Sequence, residues 1–428
     1  MYGALQASQK RVYTTKLPIS KQVLASLCFI MFFSSDAISF VTTRILGFYD
    51  INEYSWILTT LIIYSPLFLM PFAIGDRRHI RDFLLLWGIV LLAFTITLVI
   101  HPEYKGWFNH PLYSVSDYIF RPDRALYAYF MVRIINDPKR ILICLKIVSY
   151  IFVIYGLYQF LNAMKLGYWL TVSENGLRRL PYSMSFGYDM MLPAIVFLYY
   201  TMRYKKVLHL ALTVLCIFMI LLAGSRAPLL WIMVFFTVML IRSFVNSKVK
   251  VFWGLFAPFL LLGLINLNNI IRFIAVFLQQ QGITARSIDM LLSGTMSDDN
   301  GRKDIYDIAI RMIKNSDFFG YGLYGDRYVI GNYYYWGYPH NIFLEILITF
   351  GVVIGGLLIF FMLYNIVRTL IKCKDQYWMD LFLIFLVCSL KLLLSYSYWY
   401  VPEFWAAIAV VYSWNRQQKI KYRTERTL

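Results

Sequence analysis

Charge is scarce in this sequence: 15% of its residues are charged and 60% are hydrophobic, where soluble domains run at roughly 25% and 45 to 50%. That scarcity excludes an ordinary soluble globule. Cysteine is scarce too. Cys28, Cys144, Cys216, Cys373 and Cys388 are the full set, and all fall in apolar stretches or in loops expected to be cytoplasmic, so neither a disulfide framework nor a thiolate metal site is expected. No Asp-x-Asp pair and no cluster of His and carboxylates at ligand spacing is present, Asp298 and Asp299 being adjacent rather than alternate. No metal and no other cofactor is therefore expected. Internal repeats and low-complexity tracts are missing, as is the strict alternation of a membrane β-barrel. The polar, basic stretch up to Lys21 carries no small-residue cleavage site, so the first apolar helix is expected to stay as a signal anchor.

What the chain does have is apolar runs of roughly 18 to 25 residues, each long enough to cross about 30 Å of hydrocarbon at about 1.5 Å per residue. These runs predict about twelve spanning helices, at 22–45, 54–74, 82–100, 121–136, 140–162, 184–203, 206–223, 227–244, 250–268, 341–366, 378–397 and 401–415. The expected fold is thus an all-α polytopic membrane protein, divided into an N-terminal helical bundle (1–268), one large extracytoplasmic loop (269–340), and C-terminal helices with a cytoplasmic tail (341–428). Arg121, Arg124 and Arg133 flank or interrupt the fourth helix, which is expected to be short, tilted or partly interfacial.

The net charge of +18 would suit nucleic acid, but the basic residues sit in short loops between helices, the pattern that orients membrane proteins with Lys and Arg inside. Lys10 to Lys21, Arg77-Arg78, Lys139-Arg140, Arg203 with Lys205-Lys206, Arg242 with Lys248, Arg368 with Lys372, and the tail from Arg416 fall in every second loop. Both ends are expected in the cytoplasm, the partners are membrane lipids, and nucleic acid is not among them. The loops 101–120, 163–183, 224–226, 269–340 and 398–400 then face outward. The fourth of these, about 70 residues, is too long for a passive connection. Within it, Asp299-Asn300-Gly301 reads as a helix start and Ile305, Ile308, Met312 and Ile313 as the apolar stripe of an amphipathic helix.

Several outward residues could carry chemistry. Arg226 lies in the hairpin Gly224-Ser225-Arg226-Ala227-Pro228, beside the start of a helix, where a guanidinium and the helix's positive end suit a diphosphate or, equally, a lipid phosphate. His340, in Pro339-His340-Asn341 where the long loop meets the tenth helix, is placed either to cap that helix or to act as a base; an imidazole with a pKa of about 6.5 accepts a proton at neutral pH. His101 and His110 are outward rivals, whereas His79 and His209 fall on the cytoplasmic side. Arg178 and Arg179, together with Arg272, Arg286 and Arg302, add positive charge outside. Among ionisable residues inside the membrane, Asp36, Glu345 and Lys391 are supporting candidates.

Three segments together resemble the O-antigen ligase and polymerase superfamily of bacterial surface-polysaccharide enzymes. They are Gly224-Ser225-Arg226-Ala227, then Gly301-Arg302 with the amphipathic helix and Phe318-Phe319-Gly320-Tyr321-Gly322, then Pro339-His340-Asn341 continuing Ile342-Phe343-Leu344-Glu345. The resemblance covers about 184 to 400. It implies a membrane glycosyltransferase of the GT-C kind in the bacterial inner membrane, with its site facing outward. By the resemblance, Arg226 and Arg302 would bind the diphosphate of an undecaprenyl diphosphate-linked oligosaccharide, and His340 would deprotonate the acceptor hydroxyl. Attack would displace undecaprenyl diphosphate with inversion and without a metal. Many members have Arg, Gly and then Pro-Asn in the third outer loop, where this chain has Arg178-Arg179-Leu180-Pro181-Tyr182, a departure that weakens the case for Arg178 and Arg179. The aromatic, Tyr-rich character favours a polymerase of polysaccharide repeat units, with a chain-length regulator as a partner. An O-antigen ligase acting on lipid A core is the alternative within the family, and a polysaccharide flippase is the alternative outside it.

Overall fold

A computed structural model describes residues 19–48, 55–110, 114–173, 176–180, 182–246, 276, 302–316, 319–334 and 337–427. In chain order the helices are α1 (Ile19–Phe33), α2 (Ser35–Phe48), α3 (Ser55–Thr59), α4 (Ser65–Ile74), α5 (Arg77–Ile100), α6 (Lys105–Phe108), α7 (Tyr127–Ile135) and α8 (Pro138–Leu166). A hairpin, β1 (Trp169–Ser173) with β2 (Gly176–Leu180), follows. Then come α9 (Met184–Tyr204), α10 (Val207–Leu222), α11 (Ala227–Asn246), α12 (Arg302–Asn315), α13 (Gly325–Ile330), α14 (Ile342–Lys372), α15 (Gln376–Ser389) and α16 (Pro402–Thr427). Among the described residues the chain is thus a helical membrane protein but for one short antiparallel hairpin, which stands where the sequence reading had only a loop.

Among the described residues, five spans are long and apolar enough to cross a membrane: Ile57–Ile74, Arg77–Ile100, Pro138–Leu166, Ile342–Lys372 and Gln376–Leu393. A sixth is formed if the pair Ser20–Phe33 and Ser35–Leu46, bent by 74°, counts as one span. The bend falls at Ser34, between α1 and α2, and Asp36 suits the positive first turn of α2. Among the described residues, the expected twelve spans are therefore not reached. The expected helix 250–268 lies outside the described residues. So do 277–301 of the large loop, with Arg286, Asp298 and Asp299. The expected fourth span is the nine-residue α7, which rises only about 14 Å. Every residue of α7 is buried, so it is a core element rather than an interfacial one, and its arginine is neutralised locally. Arg133 is 0% exposed and donates to Asp82 at 2.9 Å and to the Ser413 hydroxyl at 2.8 Å.

The described residues fall into two compact units. The first comprises Met1–Leu145, Ala309–Leu386 and Ser397–Leu428; α7 packs there against α16, α1 and α5. The second comprises Lys146–Ile308 and Val387–Tyr396, with α9 packed on α10 and α11. Helix α9 is apolar on all sides and buried from Met190 to Tyr200, as a helix at the centre of a bundle must be. Ser183 caps it, its hydroxyl accepting from the Phe186 amide at 3.3 Å.

Helix α14 is broken at Gly351, whose φ of 74° and ψ of 172° are not helical. The break frees the carbonyls of Ile348 and Thr349, which accept from the amides of Tyr321 and Gly322 at 2.8 and 3.0 Å. The segment before α13 is thereby spliced onto the helix. The approach leaves no room for a side chain: a Cβ on Gly320, at φ +69°, would lie 2.3 Å from the Gly351 nitrogen and 2.5 Å from the Ile348 oxygen. Backbone cannot yield as a side chain can. Gly320→Ala should therefore cost at least about 2 to 3 kcal/mol. A thermal unfolding scan of the purified protein checks it, and an unshifted midpoint would contradict the splice.

Candidate functional site

In the first unit the splice delivers the chain to α13 and then to His340. Asn341 caps α14, its side-chain oxygen accepting from the amides of Phe343 and Leu344 at 3.0 and 3.3 Å. His340 stands just before this cap with a φ of +54°, a left-handed conformation that costs a residue with a Cβ about 1 to 2 kcal/mol. Such strain persists only where surroundings impose it. The imidazole is half-buried, and its centroid lies 4.5 Å from that of Tyr338. The rival histidines are engaged otherwise. His101 pairs with Glu103 at 2.9 Å and stacks on Tyr104, while His110 stacks on Trp107 at 4.9 Å. The Glu103 carboxyl is held below its usual range by a backbone hydrogen bond and then by the His101 ring.

Beneath the turn lies an ionic core that the sequence reading missed. Arg327 is 1% exposed; it donates to Asp326 at 2.6 Å, to Glu345 at 2.9 Å and to the Ser397 hydroxyl at 2.7 Å. Ser397 in turn donates to Glu345 at 2.5 Å. Tyr324, Tyr338 and Tyr400 surround the guanidinium at 4.6, 5.5 and 5.8 Å, within range of a cation–π attraction. Burial pushes the Asp326 carboxyl up, against the opposing pull of Arg327. Glu345, expected as a supporting residue, belongs to this core and is 1% exposed. The only sequence signal was the adjacent opposite charges Asp326-Arg327 in a stretch rich in glycine and tyrosine.

The second unit gathers cations. The Ser225-Arg226 hairpin is fastened to the start of α9 by the Ser183 amide, which donates to the Ala223 carbonyl at 2.8 Å. Gly187 permits this closeness, since a Cβ there would lie 2.2 Å from that of Ser225. One residue on, the Tyr188 hydroxyl hydrogen-bonds that of Ser395 at 2.8 Å, and the Tyr188 ring meets Tyr396 edge-on at 5.3 Å. Lys391, 8% exposed, places its ammonium 5.7 Å from the Tyr396 ring centre. Arg226 stands in the hairpin before α11, Arg302 at the first residue of α12, and Lys391 just after α15. Arg179, by contrast, is exposed on β2 and packs over Tyr168 at 4.7 Å. The side chains of Arg178 and Arg286 lie outside the described ones.

The helical spans define a helical membrane protein. A family model described as O-Antigen ligase matches residues 211–361. The stretch contains Arg226, Arg302, Arg327, His340 and Glu345 but neither Arg178, Arg179 nor Lys391. The match covers about a third of the chain, and that region is similar to the O-antigen ligase family, whose chemistry is glycosyl transfer of the ligase or polymerase type. No curated protein matches the chain.

Proposed function

We propose that this protein is a polymerase of undecaprenyl diphosphate-linked polysaccharide repeats in the bacterial inner membrane, with its site facing outward. His340 carries the reading, because a half-buried imidazole held in a strained turn at a helix start is arranged for chemistry rather than for packing. A ring nitrogen of His340 takes the proton of an acceptor sugar hydroxyl, and that oxygen attacks the anomeric carbon of the donor. The bond to the diphosphate breaks with inversion. Undecaprenyl diphosphate departs as an anion already stabilised by Arg226 and Arg302, so no acid need protonate it, and His340 later releases its proton to water. Lys391 adds positive charge, and Arg178, Arg179 and Arg286 are secondary candidates for the diphosphate. The exposed ring of Tyr333, 70% accessible, suits stacking on an uncharged sugar acceptor, which favours polymerase over ligase. A chain-length regulator is the expected protein partner.

The direct assay supplies the purified protein with the lipid-linked repeat alone. A ladder of longer lipid-linked chains is the expected product. If product forms only once lipid A core is added, the protein is a ligase; if none forms while the lipid is moved between leaflets, it is a transporter.

Orientation is tested separately, aided by the burial of all five native cysteines. Asn332 and Lys374 are exposed. In intact cells an impermeant thiol reagent should label Asn332→Cys and spare Lys374→Cys. The reverse pattern would put His340 in the cytoplasm and remove the basis for a lipid-linked donor.

A further inference from the structure

The ionic core under the His340 turn is more than stability requires. Exchanging a buried ion pair for apolar residues of similar volume is often neutral or stabilising, so hydrophobic side chains would serve a purely structural role as well. What a hydrogen-bonded charge network adds is a single geometry, because each partner accepts few arrangements of the others. Here the guanidinium ties together three parts of the first unit: α13 through Asp326, the start of α14 through Glu345, and the segment before α16 through Ser397. Its influence reaches His340 by contact. The Tyr338 ring lies 5.5 Å from the Arg327 guanidinium and 4.5 Å from the imidazole. Gly337, at φ +64°, rests directly on Arg327, since a Cβ there would lie 3.1 Å from the Arg327 Cα. The turn 337–341 is thus supported from below by Arg327 and fixed at its end by the Asn341 cap.

We propose that Arg327, acting through Tyr338, is the positioning residue that holds His340 in its strained conformation and aims its ring at the acceptor hydroxyl. The assignment rests on the reading of His340 as the base. Without the support, the turn relaxes toward an ordinary backbone conformation and the ring swings away, while the groups that bind the donor lipid stay in place.

Removing Arg327 outright would strand two buried carboxylates and threaten folding, so the test acts on the contact between it and His340. Turnover and KM for the lipid-linked repeat are measured on the full-length protein carrying Tyr338→Leu, Tyr338→Phe, Gly337→Ala or His340→Ala, with thermal midpoints alongside. Tyr338→Leu should lower kcat by on the order of tenfold to a hundredfold, the scale of a small misplacement of a catalytic group, with KM unchanged. Tyr338→Phe, which keeps the ring, should restore most of it. Gly337→Ala strains the same turn without altering charge and should reproduce the kcat-only loss, which serves as a second measure if the leucine variant unfolds. Wild-type kcat in both Tyr338→Leu and Gly337→Ala, with His340→Ala inactive, would overturn the positioning role and leave the base intact. A loss of KM and kcat together, not recovered by phenylalanine, would also overturn it. Full activity in His340→Ala would remove the base itself, and this assignment with it.

Discussion

Replacing His340 by alanine should abolish glycan transfer and leave the donor lipid bound. The side chain is half-buried and stands outside the helices, so its loss removes a base and not a core contact. A general base contributes about 10² to 10⁴ in rate, and alanine at this position cannot accept a proton. Because alanine also tolerates the left-handed φ of +54° poorly, glycine is the informative companion: His340→Gly relieves the strain and should be equally inactive. The measurement is elongation of a lipid-linked repeat by purified protein, with donor binding followed on the same preparations. Near-wild-type turnover in either variant would discard His340 as the base.

Arg226→Lys and Arg302→Lys should each lose activity despite keeping the charge. A planar guanidinium offers paired donors that match two phosphate oxygens, while an ammonium is a point charge. The expected loss is on the order of 10² to 10³ in kcat, the range seen when one donor to a developing anion is removed. Protein yield and thermal midpoint should be little changed, because Arg226 is only half-buried and Arg302 sits in the first turn of its helix. If both lysine variants kept most of their activity, paired recognition of the diphosphate would be wrong and general attraction would suffice. Arg179 provides a contrast. It is exposed and packs over Tyr168, and Arg179→Lys should have a much smaller effect.

Where local pattern decides structure, the sequence was legible. The expected helices at 82–100, 140–162, 184–203, 206–223, 227–244 and 401–415 all appear, displaced by a few residues or extended at the ends, as does the amphipathic helix starting at Arg302. An apolar run and its flanking caps are properties of neighbouring residues, and neighbours suffice to form a helix. For 121–136 the same reasoning gave a short helix, as α7 is, but did not show that it is buried on every side. Apolarity alone does not distinguish a helix facing lipid from one enclosed by other helices. It also read 341–366 as one continuous span, although Gly351 breaks it, because a glycine within a helix breaks it only when something else binds the freed carbonyls.

The sequence by itself determined that the chain is an all-helical membrane protein, which residues could handle a diphosphate or a proton, and the family to which the region around them is similar. Each of these follows from composition, short spacing or motif, all encoded within a few tens of residues. Only the tertiary structure decided that Arg327, Glu345 and Ser397 form one buried network. Glu345 lies 18 residues from Arg327, and Ser397 lies 70 from Arg327 and 52 from Glu345. No local rule couples such positions; they meet because a buried guanidinium must find carboxylates and hydroxyls wherever the helices bring them. The left-handed turn at His340, at φ +54°, is likewise a matter of tertiary structure, since such a conformation persists in a residue with a Cβ only where the surroundings impose it.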